Sequence, residues 1–141
     1  MNEITSRRQF VALLPGMILL GGLPQRASAA LRPGGQGKHP EPRPNITAAK
    51  VLTREQLADF PDVIPVFDMV REMPQIVDGI RCACGCSAIP ENYSMLSCFE
   101  SDGMAIHCEV CKAEARLVHR LFKQGKTLKE IRAAIDAEYG T

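Results

Sequence analysis

The sequence has no tryptophan, and aromatic residues make up only 5% of its 141 positions. That leaves little from which to build a stacking platform for bases or sugars. Neither sign of charge is in excess: 17 basic against 16 acidic residues give a net +1. A binder that works by neutralising phosphates needs more positive charge, and an acidic solvating tail needs more negative. There is no H-E-x-x-H pair, no serine in a glycine elbow and no phosphate-cradling loop. The common signatures of hydrolases and nucleotide binders are therefore missing. No alternating strand pattern and no internal repeat occurs. What the chain does have is six cysteines, all between Cys82 and Cys111, in a sequence that is 45% apolar.

The first 29 residues read as an address. Ser6, Arg7, Arg8, Gln9 and Phe10 precede an apolar stretch from Val11 to Leu23, and Ala27-Ser28-Ala29 is a small-x-small cleavage pattern. The apolar stretch is interrupted by Pro15, Gly21 and Gly22 and is shorter than the roughly 20 residues of a membrane span. The string resembles the twin-arginine export signal. That resemblance implies cargo folded before export, in a reducing cytoplasm where disulfides are rare and thiols stay free for a metal. Removing residues 1–29 takes away three arginines and one glutamate and turns the net charge from +1 to −1. The expected location is periplasmic or otherwise extracytoplasmic, with no membrane span after cleavage. No cysteine stands near the cleavage site to carry a lipid anchor.

Residues 30–50 are rich in proline and glycine, with nothing apolar between Leu31 and Ile46. They read as a disordered tether, and His39 as a solvated residue in it. Residues 51–141 read as an all-α domain with an irregular cysteine-rich loop. Thr53 and Gln56 form a capping-box pattern for a short helix over 54–59, closed by Pro61. Val63, Val66, Phe67 and Val70 recur at helical spacing up to Pro74. Val110, Leu117, Val118, Leu121 and Phe122 mark one face of a helix over 108–124, with Gly125 as its stop. Thr127 and Glu130 cap a last helix carrying Leu128, Ile131 and Ile135, so the chain ends in an αα-hairpin. The carboxylates Asp62, Asp68 and Asp78 and the imidazole of His119 read as solvent-facing.

The chemistry is expected at Cys82, Cys84, Cys86, Cys98, Cys108 and Cys111. Cysteines one residue apart are hard to bridge without strain. If all six were paired, each of the first three would need a partner among the last three, a crowded knot. A metal site needs the opposite, several sulfurs converging on one point. Alternate cysteines around Gly85 can wrap backbone about an ion. Cys108 and Cys111 sit three apart at a helix start, where the dipole favours thiolate. Met104 and His107 beside them are candidate accessory ligands. Four thiolates would suit Zn(II), and five or six would suit Cu(I), which this density favours. An iron–sulfur cluster is less favoured, since the spacing matches neither ferredoxin pattern. No catalytic residue is nominated. Two alternatives to metal binding stay open: a disulfide-stabilised binding module, and a thiol–disulfide redox protein using Cys108 and Cys111.

Over residues 60–141 the chain resembles the exported bacterial family named for its PCYCGC motif. Cys82, Cys84, Gly85 and Cys86 fall on C-x-C-G-C, Cys98-Phe99 on a downstream Cys-Phe, and Cys108 with Cys111 on a later C-x-x-C. Gln124-Gly125-Lys126, Glu130-Ile131-Arg132 and Ile135-Asp136 fall on its helical tail. Arg81 and Ala83 depart from the motif's proline and tyrosine. The resemblance implies metal binding. The tail also resembles the thiol proteins of cytochrome c maturation, which supply a redox C-x-x-C. The expected partners are a metal ion and a metal-transfer or redox protein. Nucleic acid is not expected as one.

Overall fold

The computed structural model describes residues 37–140. The export signal and the first part of the expected tether lie outside these residues. Four α-helices form: α1 (Ile64–Glu72), α2 (Pro74–Asp78), α3 (Glu109–Lys123) and α4 (Leu128–Tyr139). Among the described residues there is no strand, only an isolated bridge between Val51 and Glu100. Short 3-10 turns at Cys86–Ala88, Met95–Phe99 and Met104–Ile106 punctuate the long connection from α2 to α3. The described residues are thus all-α and close in a hairpin; five of the six cysteines lie in the irregular segment, and Cys111 lies in the first turn of α3.

Each helix follows from local chemistry. Pro65 sits in the first turn of α1, where a missing N–H costs nothing. Pro74 stops α1 and starts α2 as its first residue. Thr127 and Glu130 exchange both bonds of a capping box at the start of α4. Gly125 takes φ +76° just past α3, a conformation that favours glycine. Thr53 and Gln56 also make their reciprocal bonds, of 2.8 and 3.3 Å. No helix grows from them, because Pro61 follows too soon, and residues 54–59 are a run of turns. Leu57 is nevertheless fully buried.

α1 packs on α3, α3 on α4, and α2 against Met95–Phe99. Phe67 and Phe99 meet edge to face at 4.9 Å in the centre of the core. Cys82, Cys86, Cys98 and Cys111 belong to that same buried cluster, so the sulfurs sit in the core.

Over 37–50 the chain is not a disordered tether but a strap bound to the domain. Nδ1 of His39 accepts from the Arg81 N–H at 3.0 Å, and its Nε2 lies 3.0 Å from the Asp136 carboxylate. His39 is therefore a pinned residue and not a solvated one. The Arg43 guanidinium reaches Asp78 at 2.7 Å, and the Arg43 N–H donates to the same carboxylate at 2.7 Å. Asp78 is fully buried, against the solvent-facing reading, and also accepts from the Ser94 hydroxyl. His119 lies against Glu72 at 3.1 Å. Asp68 is half-buried beside Arg54 and Arg71. Proline-rich composition gives the strap no core of its own, and the domain supplies its partners.

Burial pushes the Asp78 carboxyl up. The Arg43 side chain and N–H, with Ser94, outweigh that and hold it below the usual range. The folded state then binds this proton less tightly than the unfolded chain. The resulting stability is complete above the ordinary aspartate range and is lost as pH falls through the folded value. Arg43→Ala is expected to cost about 2–3 kcal/mol at neutral pH, less than for a fully buried pair because Arg43 is partly exposed. It should also flatten the acid limb of stability. Chemical denaturation from neutral pH down to pH 2 checks both, and identical curves would contradict the assignment.

Candidate metal centre

Three pieces of chain bring the sulfurs together. The first follows α2: Cys82, Cys84 and Cys86 wrap a turn in which Gly85 takes φ +90°. A Cβ at Gly85 would meet nothing within 4 Å, so the requirement for glycine here is purely conformational. The second is the 3-10 turn Met95–Phe99, which presents Cys98 inward beside Phe99. The third is the start of α3. Cys108 is its N-cap residue, and its sulfur accepts from the Cys111 N–H at 3.5 Å. Cys111 lies in the first turn and points into the core.

All six cysteines are free thiols. The sulfurs of Cys82, Cys86, Cys98 and Cys111 lie within 4.8 Å of one another, and all four residues are buried. Cys82 is 3.0 Å from Cys111, and Cys86 is 3.1 Å from Cys98. A second group, Cys84, Cys108 and Cys111, meets the same 4.8 Å limit, with Cys84 and Cys108 half-buried. Cys111 is common to both groups. A tetrahedral ion with metal–sulfur bonds of about 2.3 Å needs sulfurs about 3.8 Å apart. The buried four can reach that spacing by small side-chain shifts, so a single thiophilic ion fits among them. The four buried cysteines form a cluster that can hold a metal ion.

The sulfurs share protons unequally. Hydrogen bonds with Cys111 and Cys82 pull Cys84 well below the ordinary thiol range. Bonds with the same two bring Cys86 down to about 4. Cys82, bonded to Cys111 and Cys84, is pushed up.

One participant escaped the sequence reading. Glu114 is fully buried, its carboxylate 3.1 Å from the Cys82 sulfur. The same carboxylate accepts from the Ala83 N–H at 3.0 and 3.2 Å. Burial pushes Glu114 up to about 7, against the bonds from Cys82 and Ala83 that favour its charged form. It pins the cysteine turn to α3. A signal was present: Glu114 follows Cys111 by three residues, the spacing that places two side chains on one helix face.

The accessory residues are not brought in. His107 is exposed, stands edge-on to the Phe60 ring at 5.3 Å and joins neither sulfur group. The Met104 sulfur faces the Asn92 amide at 3.5 Å and lines a polar surface cavity of about 270 Å³ with Arg43, Lys50 and Glu100. Lys112 turns its ammonium to the Ile106 carbonyl and to Glu109. No helix among the described residues is long and apolar enough to cross a membrane. The chain matches no known family model, no curated protein and no solved structure.

Proposed function

We propose that this is an exported metal-binding protein that buffers or hands on a thiophilic ion, Cu(I) ahead of Zn(II). One observation carries the reading: four buried thiols converge within 4.8 Å of one another, with no covalent bond among them. Soft sulfur selects Cu(I), Zn(II) or iron–sulfur clusters. An iron–sulfur cube needs room for its inorganic core between the cysteines, and sulfurs this close favour a bare ion. Four thiolates alone would equally suit structural zinc. The two further cysteines beside them weigh toward copper. Export rests on the twin-arginine resemblance, and kinship with the PCYCGC-motif family on the cysteine spacing; both belong to the proposal.

The test is an anaerobic Cu(I) titration of the full chain against a chromogenic chelator. Cys86→Ala with Cys98→Ala should weaken binding by more than the about ten- to hundredfold that outer-shell changes bring. Unchanged affinity would contradict the proposal.

The short approaches also support a second reading, a disulfide-stapled binding module. Cys82 with Cys111 and Cys86 with Cys98 would pair first. Cys84 with Cys108 would remain as the third couple. Redox work by Cys108 and Cys111 has less support, because Cys111 is buried among other thiols, with Cys82 only 3.0 Å away.

A further inference from the structure

We propose that the cluster is a two-ion centre. An inner ion is held by Cys82, Cys86, Cys98 and Cys111, an outer ion by Cys84, Cys108 and Cys111, and the Cys111 sulfur bridges them. This rests on the metal-binding reading and adds to it a stoichiometry and a route of exchange.

The geometry points here in three ways. Six thiols exceed what one such ion takes, since four sulfurs complete a tetrahedral shell. The two sulfurs left over are not scattered. Cys84 and Cys108 stand together, each within 4.8 Å of Cys111, and Cys84 is 3.6 Å from Cys111 and 3.3 Å from Cys82. Each is also fixed by a backbone donor, Cys84 by the Cys86 N–H and Cys108 by the Cys111 N–H, both at 3.5 Å. A thiolate has lone pairs enough to bind two cations, so one shared sulfur does not compromise either site.

Charge and burial then divide the work. For a divalent ion, the thiolates of Cys84 and Cys108 add two negative charges and the second ion two positive. With Zn(II) the larger cluster therefore carries no more net charge than the inner site alone, and with Cu(I) it carries one more negative charge. Binding displaces thiol protons to water, and no electron is transferred. The inner four are buried, whereas Cys84 and Cys108 are half-buried. The outer ion is the one a partner or chelator can reach, so exchange proceeds across Cys84 and Cys108 while the inner ion is retained.

The full chain loaded with the NMR-active cadmium isotope tests this, with native mass spectrometry for stoichiometry. We expect two bound ions and two cadmium resonances coupled to each other through the shared sulfur. Cys84→Ser with Cys108→Ser, changes at half-buried positions, should leave one ion and one resonance. A chelator should strip wild type to the same one-ion form first. A single ion in wild type, two uncoupled resonances, or two ions kept by the double variant would each overturn the two-ion centre while leaving metal binding standing. No bound cadmium in wild type would overturn both.

Discussion

Replacing Cys111 with alanine is expected to remove more metal than any other single change. Its sulfur belongs to both thiol groups, so its loss leaves three ligands at the inner site and two at the outer. A two-sulfur outer site does not compete with a chelator for a soft ion. A three-sulfur inner site must admit water or a distant donor into an apolar pocket. Cys84→Ser removes a ligand from the outer group alone and serves as the control. Stoichiometry by native mass spectrometry should fall furthest in Cys111→Ala and by one ion in Cys84→Ser. Alanine keeps the position apolar, so far-ultraviolet circular dichroism should show the helices intact. Equal metal content in the two variants would mean that Cys111 is not shared.

Glu114→Ala should have the second-largest effect, and it acts without touching a metal. The carboxylate satisfies the Ala83 N–H and meets the Cys82 sulfur, both inside the core. Removing it leaves a buried donor unpaired, which costs about 2 kcal/mol of stability. It also frees the turn that carries Cys82, Cys84 and Cys86. Outer-shell partners of metal ligands are typically worth about ten- to a hundredfold in affinity, and a loss of that size is expected. Glu114→Gln keeps an acceptor for the Ala83 N–H and should recover most of the stability. Thermal melts of the metal-free protein separate the two variants. If both melt like wild type, Glu114 does not position the cysteine turn.

The helices were legible because their signals are local. The Thr127–Glu130 box, the glycine after α3 and the Val66, Phe67, Val70 spacing each sit within a few residues of what they specify. The convergence of the cysteines was legible from their density. Their division into a buried four and a half-buried outer group was not. It depends on how three separate segments pack, and no spacing rule encodes that. The strap was misread for a related reason. Pro40, Pro42 and Pro44 exclude a core within the segment but say nothing of one elsewhere. His39 finds Arg81 and Asp136, and Arg43 finds Asp78, across 35 residues or more. Asp78 looked solvent-facing because its partner lies that far upstream. Composition reports what a segment can do alone, and the strap does not act alone.

Whether the cysteines hold a metal is decided by native mass spectrometry of the protein prepared without oxygen, with a thiol count after denaturation. A thiolate metal centre gives a mass that includes bound copper or zinc, with all six cysteines titrating as thiols. A metal-free mass about six daltons below the reduced value, two hydrogens for each of three bridges, would contradict it and make this a disulfide-stapled domain.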